Sequence, residues 1–292
     1  MRIFVTGGSG YIGRSVIAEL CRRGHHVAAL ARSDAAAATV RGLGAEVIHG
    51  SLASLDVIEL ATREHDATVH MAGVTSLESV ALEARMIDVL SRVAPNDHAI
   101  VYTSGAWVYG DRGDAVVDEN APLKPIEIVA WRPAHEKRVL AARERGIRVV
   151  VIRPTVVYGD GGGIIGRLVA SANPGPLKIV GNGTNRWSTV RVDALAELYA
   201  AAVEQPAANG IYNGVNGAPV PYVEIGRAAS RAGGGNGTIE HLTFENARAA
   251  MGLRAEAFAM DLQVSGEKAR RELGWNPHRP TVLEELANTV VP

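Results

Sequence analysis

The 292-residue sequence has a single cysteine, Cys21, so no disulfide can form within the chain. This suits a reducing cytoplasm, which is the compartment we expect. No apolar run approaches the roughly 18–20 residues that cross a membrane. Residues 1–6 already have the pattern of a strand, so we expect no signal peptide. The formal net charge of −1 gives no overall attraction to nucleic acid or an anionic membrane.

Metal-ligand spacing is also missing. None of the nine histidines is spaced with Cys, Asp or Glu as metal ligands usually are, so we expect no metal site. Cys21 lies in a predicted amphipathic helix, where a structural thiol is more common than a nucleophile.

What the sequence does contain is an alternation of apolar runs and helical patterns. Apolar runs typical of buried strands occupy residues 3–6, 26–30, 46–49, 68–71, 99–103 and 148–152. Helical patterns lie between several of them, at 11–23, 54–63, 77–93 and 134–145. This alternation predicts a parallel sheet with helices on both faces.

The second half of the chain has a different texture, because Gly, Asn and Pro become frequent after Tyr158. Short strands are predicted at 177–180, 187–192 and 210–215, a helix at 193–203, and a last helix near 266–273. We interpret this half as a smaller lobe, at 158–186 plus about 216–292. The main domain then comprises 1–157 plus about 187–215.

A glycine-rich segment, residues 6–13, follows the first predicted strand and opens the first predicted helix. Its glycines permit a tight turn and allow the main chain to approach a pyrophosphate, which the helix N-terminus attracts. A glycine triplet alone is weak evidence, but here it has the required strand–turn–helix context. The predicted fold class is therefore α/β: a Rossmann doubly wound parallel sheet with a smaller C-terminal substrate lobe.

The end of the second predicted strand bears on cofactor choice. NAD sites usually carry Asp or Glu there, whereas this sequence has Ala31 and then Arg32. A guanidinium suits a 2′-phosphate, and Ser33 can add a hydrogen bond. These residues favour NADP(H) over NAD(H), although Asp34 could serve NAD and Arg32 could be a solvated loop residue. Arg41 could contribute if its helix brings it round.

Several blocks together resemble a known family: residues 6–13, 70–73, 102–104 with 108–110, 153–154 with 157–159, 181–183, 190–193 and 273–277. Over nearly its whole length the chain resembles extended short-chain dehydrogenases/reductases, the NAD(P)-dependent epimerase/dehydratase group. The resemblance implies cofactor contacts at Gly7, Gly10, Tyr11, Ile12, Gly13, Arg32, Ser51, Leu52, Met71, Ala72, Gly73, Thr103 and Pro154. Ser51 stands where the family usually has Asp, which should weaken adenine recognition slightly.

The family's catalytic pattern is not matched. It uses Tyr-x-x-x-Lys on a helix, and no tyrosine here is followed by lysine four residues later. One register puts Arg132 at the lysine position and Ile128 at the tyrosine position; a register five residues later puts Lys137 and Pro133 there. The active hydroxyl falls on Gly105, beside Ser104. The resemblance therefore narrows to atypical members of the superfamily.

Substitutes for the missing tyrosine can be named from chemistry. Arg132 cannot donate a proton at neutral pH, but it can hold a ribose or an anionic substrate, and an ion pair with Glu136 is the plainer expectation. His135 is the best titrating substitute, against the more common case of a packing histidine. Further candidates near the predicted cleft are Ser104, Tyr109, Tyr158, Asp118, Glu119, Trp107, Trp131 and Trp187, the tryptophans being equally explained by core packing.

Two function classes follow. We favour an NADP(H)-dependent oxidoreductase acting on a small carbonyl or hydroxyl compound, with an epimerase or lyase that retains its nucleotide as a close variant. The alternative is an NADP-binding sensor or interaction protein without catalysis. By analogy with the family, a second copy of the chain is a possible partner.

Overall fold

The computed structural model describes residues 1–73, 76–172 and 175–289. In this part of the chain the strands are β1 (Arg2–Thr6), β2 (His26–Ala31), β3 (Glu46–His49), β4 (Ala67–His70), β5 (Ala99–Thr103), β6 (Arg148–Pro154), β7 (Val156–Tyr158), β8 (Leu177–Val180), β9 (Arg186–Trp187), β10 (Thr189–Arg191), β11 (Gly210–Gly214), β12 (Val220–Pro221) and β13 (Ile239–Leu242).

The α-helices are α1 (Tyr11–Arg22), α2 (Asp34–Gly42), α3 (Leu55–Glu64), α4 (Leu77–Val93), α5 (Arg132–Leu140), α6 (Gly163–Ala170), α7 (Val192–Glu204), α8 (Tyr222–Ala232), α9 (Phe244–Met251), α10 (Arg254–Ala259), α11 (Glu267–Leu273) and α12 (Val282–Asn288). Short 3₁₀ helices occupy Ala106–Tyr109, Glu127–Val129 and Ala141–Arg145. Within the described ranges, none of the helices combines the length and apolarity needed to cross a bilayer.

The central sheet has seven strands in the order β11–β6–β5–β4–β1–β2–β3, and every neighbouring pair is parallel. This confirms the predicted α/β Rossmann-like class. The chain starts at β1, winds outward to β3, and then returns to place β4 on the other side of β1. The carboxyl ends of β1 and β4 therefore border a topological switch point, where open α/β sheets form a crevice.

Both faces of the sheet are covered by apolar helix faces. On one side Val16 and Leu20 of α1 and Leu198 of α7 pack against β1, β5 and β6. On the other side α3, α4 and α5 cover the sheet, with Leu90 among the buried contacts. Cys21 is half-buried beside the first layer, and burial raises the pKa of its thiol.

A second hydrophobic core lies apart from the two layers that cover the sheet, and we call the elements around it the lobe. Trp187 stacks on Tyr222 with ring centroids 4.2 Å apart, and Phe258 packs against both rings. The sequence division placed Trp187 with the main sheet, whereas it packs in the lobe. Conversely, α11 was assigned to the lobe but packs in the core of the main sheet. Trp275, which follows α11, holds this segment against α7, because its indole N–H donates to the Ala194 carbonyl at 2.8 Å.

Element boundaries differ from the sequence prediction mainly after residue 130. The predicted helix 134–145 starts at Arg132 and becomes a 3₁₀ turn after Leu140, and the strand predicted at 187–192 is split into β9 and β10. The helix near 266–273 is not the last, because α12 follows it. The start of α12 could have been recognised from the sequence, because Thr281 and Glu284 form a reciprocal capping box.

A buried ion pair holds α5 to the sheet. The Arg153 guanidinium on β6 donates from Nε and Nη2 to the two carboxylate oxygens of Glu136, at 3.0 and 2.5 Å. Both side chains are almost completely buried. The expected Arg132–Glu136 pair is therefore wrong, because Glu136 faces the sheet, whereas Arg132 Nη1 donates to the Thr103 carbonyl at 3.3 Å.

Glu136→Gln should destabilise the fold by about 3 kcal/mol, because it leaves the Arg153 charge buried without its counter-ion. Urea unfolding measures this loss. Lys137→Gln, at the next and exposed position of α5, should stay within about 0.5 kcal/mol of the parent. Equal effects of the two substitutions would show that the buried pair does not anchor α5.

Candidate functional site

The turn between β1 and α1 is built from main chain alone. Gly7 has φ +77°, and a Cβ there would lie 2.5 Å from the backbone nitrogen of Ala72. A Cβ on Gly13 would lie 2.2 Å from the Gly7 carbonyl oxygen. The N–H of Gly10 closes the turn by donating to the same carbonyl at 3.0 Å. Glycine is thus required where β1, α1 and the end of β4 meet.

The N-terminus of α1 has no side-chain cap. Gly10 occupies the N-cap position, and the first turn contains no acidic residue. The N–H groups of a first turn have no partner within their own helix, and the helix dipole makes this end electropositive. The geometry is that of an anion-binding helix start.

A cleft of about 350 Å³ opens at the switch point, and we call it the switch-point cleft. The predicted cofactor residues in its lining are Gly7, Gly10, Arg32, Ser51, Leu52, Met71, Ala72 and Gly73. Its other lining residues are Thr6, Ser9, Leu30, Ala36, Gly50, Ala53, Ser79 and Leu82. Ile12, Gly13, Thr103, Pro154 and Tyr11 are outside the lining, so their predicted roles stay predictions.

Arg32 lies exposed just past β2, at the rim of the switch-point cleft. Among residues 1–73, 76–172 and 175–289, its guanidinium makes no hydrogen bond or ion pair, so its donors are available to a ligand. Ser33 caps α2, its hydroxyl accepting from the Ala36 N–H at 3.3 Å. Arg41 does not line the cleft.

Tyr11 links the cleft region to the lobe. Its hydroxyl donates to the Gly159 carbonyl at 2.7 Å, and a Cβ on Gly162 would lie 2.1 Å from its ring. Burial raises the pKa of this phenol, with Asp160 adding to the shift. The glycine-rich loop 159–163 is thus packed directly on the first residue of α1.

The far end of the site gathers around the end of β5. The hydroxyl groups of Thr103 and Tyr199 are hydrogen-bonded to each other at 2.6 Å. The main-chain carbonyl of Thr103 accepts a hydrogen bond from Arg132. The Arg132 guanidinium also lies 4.7 Å from the ring centroid of Trp131. Ser104 is buried, and its hydroxyl has no hydrogen-bond partner in the described part of the chain.

Several other candidates have structural contacts instead. The Tyr109 hydroxyl is buried, accepts from Arg153 and donates to Asn213, each at 2.8 Å. The Tyr158 hydroxyl donates to the Pro280 carbonyl at 2.6 Å. Glu119 accepts from the Asn213 N–H, and burial raises the pKa of its carboxyl.

Asp118, Trp107 and Trp187 also have structural contacts. The Asp118 carboxylate accepts from the Asn120 N–H within its own turn, at 2.9 Å. Trp107 packs against the lobe core to which Trp187 belongs. We therefore give none of these residues a chemical role.

A buried cluster of five polar residues lies beneath the cleft: Thr6, His70, Glu83, Tyr102 and His135. Glu83 was missed by the sequence analysis, although it shares a helix face with buried Met86, Ile87 and Leu90. A carboxylate on such an apolar face is the signal that could have found it. His135 was weighed as a packing or surface residue; it is 5% exposed, with Nδ1 3.5 Å from Glu83 Oε2.

Glu83 is ionised at neutral pH. Burial alone would raise the pKa of its carboxyl, but the nearby His135 and the hydrogen bonds from His70 and Tyr102 outweigh burial and hold the pKa at about 2. A buried carboxylate persists only where donors surround it. The described residues contain no group of three or more metal-ligating side chains.

With this geometry in place, the comparison with known families is decisive. The NAD dependent epimerase/dehydratase family model matches residues 3–216. The chain belongs to this family. Its glycine turn, its switch-point cleft and its sheet order all lie within the matched region.

Relatives of this family member include a reductase. The chain is 32% identical to the 4-hydroxy-2-methyl-3-oxo-4-farnesyl-3,4-dihydroquinoline-1-oxide ketoreductase of Stigmatella aurantiaca, covering 94% of this chain and 92% of that protein.

Two solved structures share its fold. The human epimerase family protein SDR39U1 with NADPH has a TM-score of 0.77 at 24% identity, covering 99% of this chain and all of the other. The Thermus thermophilus UDP-glucose 4-epimerase with NAD also has a TM-score of 0.77, at 22% identity, covering 99% and 97%.

Gly7→Ala should destabilise this family member by about 2 kcal/mol more than Gly24→Ala does. Both glycines have positive φ, but a Cβ at Gly24 meets nothing within 4 Å, so only the backbone cost of about 1–2 kcal/mol applies there. At Gly7 overlap with the main chain of Met71 and Ala72, just after β4, is added. Chemical denaturation of both variants measures the difference, and equal losses would show that β4 yields freely.

Proposed function

We propose that the protein is an NADP(H)-dependent oxidoreductase of the atypical short-chain type, reducing a small ketone or oxidising the corresponding alcohol. The observation that carries this proposal is the free guanidinium of Arg32 at the rim of the switch-point cleft. Beside it lies a glycine turn, of which Gly7 and Gly10 line the same cleft without side chains. The combination fits a dinucleotide that bears a third phosphate.

The chain's own residues can hold each part of such a coenzyme. The uncapped N-terminus of α1 would receive the pyrophosphate, and Arg32 the 2′-phosphate. Leu30, Leu52 and Leu82 offer apolar surface to the adenine. When bound, the reduced coenzyme would supply a hydride.

The substrate would react near the start of α5. As the carbonyl carbon accepts the hydride, the electron pair of the C=O bond moves to oxygen, and the oxygen takes a proton. His135 would donate that proton and be reprotonated from water, while the Arg132 charge orients the polar end of the substrate. The similarity to a ketoreductase supports a ketone with an apolar neighbourhood, and Trp131 beside Arg132 suits one.

Arg32→Ala should weaken NADPH binding about 10- to 100-fold, because charge-assisted hydrogen bonds to the third phosphate are lost. NADH binding should change less than about 2-fold. Thermal-shift titration with both coenzymes measures this, and the parent should be stabilised more by NADPH. Arg41→Ala, outside the cleft, is the matched control. Equal stabilisation of the parent by NADPH and NADH would reject the NADP(H) assignment.

A panel of aldehydes, ketones and imines should include a compound whose reduction consumes NADPH, followed by its absorbance. On that compound His135→Ala should lower kcat by about 100-fold or more, since general acid catalysis is removed. Arg132→Ala should mainly raise the substrate KM, and exposed Lys137→Ala should change neither constant. Coenzyme binding without turnover of any compound would favour the non-catalytic nucleotide sensor.

A further inference from the structure

Glu83 divides its carboxylate between two sides of the buried cluster. Oε1 accepts from the Tyr102 hydroxyl at 2.9 Å and lies 3.0 Å from His70 Nε2. Oε2 faces His135 Nδ1 at 3.5 Å. The side chain of Glu83 is 2% exposed and that of His135 6%, so both groups are shielded from bulk solvent.

The protons on the Oε1 side follow from the carboxylate charge. An ionised carboxylate only accepts hydrogen bonds, so His70 Nε2 carries a proton. His70 Nδ1 lies 2.6 Å from the Thr6 hydroxyl, and Thr6 lines the switch-point cleft. Two donors therefore converge on Oε1, while Oε2 faces His135.

On the Oε2 side of Glu83, the hydrogen bonding of the buried polar atoms is incomplete. Glu83 Oε2, His135 Nδ1 and Ser104 Oγ are all buried without a hydrogen-bond partner in the described part of the chain. Unpartnered buried polar atoms are rare and often mark functional sites. His135 Nε2 makes no hydrogen bond in that part of the chain either, yet it is not among the buried unpartnered atoms, so it retains access to the surface.

We propose that Glu83 is the positioning residue for His135, with Oε2 holding the Nδ1 proton so that Nε2 is the nitrogen that exchanges a proton with the substrate oxygen. The catalytic part of this inference rests on the proposed function; the geometric part does not. The negative charge of Glu83 also stabilises the imidazolium that must precede donation.

Among the groups around the His135 ring, the Glu83 carboxylate is the one placed to act as its counter-ion. His70 on β4 and Tyr102 on β5 face its other oxygen. Arg132 lies on the same helix as His135, and its charge opposes the rise in the pKa of the Tyr102 phenol. Its guanidinium, however, contacts Thr103 and Trp131. Trp131 meets the imidazole edge-on, with ring centroids 4.9 Å apart, and helps to fix its plane.

The tautomer of His135 tests the geometric part without any substrate. In protein labelled with ¹⁵N-histidine, long-range ¹H–¹⁵N correlation distinguishes the two neutral tautomers, and loss of signals in His135→Asn assigns the ring. We expect the neutral ring of the parent to carry its proton on Nδ1. A parent ring protonated on Nε2 would overturn the proposal, and this measurement needs no variant of Glu83.

Glu83→Gln gives a directional prediction. The amide oxygen must stay with the two donors at Oε1, so the NH₂ group turns toward His135 Nδ1 and requires it to accept. The neutral ring should then move to the Nε2–H tautomer. Tyr102→Phe keeps the carboxylate and should keep the parent tautomer. An unchanged spectrum in Glu83→Gln, with stabilisation by NADPH intact, contradicts the proposed contact.

Kinetics test the catalytic part on any compound that the protein reduces. Glu83→Gln should lower kcat about 10- to 100-fold, with the coenzyme KM changed less than about 3-fold. Added to His135→Ala it should cause no further loss, whereas multiplied losses would place Glu83 outside the path through His135. Glu78→Gln, the same change at an exposed position of α4, should leave kcat unchanged. If no compound is reduced, the proposed function fails, and the tautomer still decides the Glu83–His135 contact.

Discussion

Direct main-chain packing between β1, α1 and the end of β4 is the constraint on which this molecule depends. At Gly7 the main chain of Met71 and Ala72, just after β4, occupies the space that any other residue would need for its Cβ. Because the three elements meet this closely, Gly7 and Gly10 of the turn line the switch-point cleft. The same closeness places Thr6, at the end of β1, beside His70 at the end of β4. A bulkier turn would separate the cleft from the polar cluster beneath it.

Helix α5 is positioned from two directions, from the sheet and from α4. Glu136 reaches down to Arg153 in the sheet, and His135, the preceding residue, faces Glu83 on α4. Adjacent helical positions point about 100° apart, so one helix can meet both partners. The first turn is then fixed over the end of β5, where Arg132 contacts Thr103.

The sequence predicted local features well, because they depend on neighbours in the chain. β3, β5 and α4 have the bounds that apolar periodicity indicated, and the glycine segment forms the turn that its spacing predicts. The Arg132–Glu136 pair failed for the opposite reason. The rule for residues four apart describes an isolated helix. A buried arginine from β6, 17 residues away, offered Glu136 two hydrogen bonds instead.

Glu83 was not predicted from the sequence for a related reason, because a single carboxylate in a helical pattern is ordinarily a solvated residue. Only the sheet order brings β4 and β5 together beneath α4, so that His70 and Tyr102 become donors to it. A bare carboxylate at that depth would be too costly to remain charged. The position is therefore informative only once its donors are known.

In the proposed reaction, the arrangement of charges near the start of α5 is the reason for choosing His135 over its neighbours as the proton carrier. Glu83 keeps its negative charge because its donors hold the pKa of its carboxyl at about 2. Tyr102 is no alternative, since burial and then the Glu83 charge raise the pKa of its phenol far beyond neutral pH. The His135 imidazole differs from these side chains because one ring carries both a donor and an acceptor nitrogen when it is neutral. With a fixed negative charge at Nδ1 and access at Nε2, it has the polarity that proton donation to a carbonyl oxygen requires.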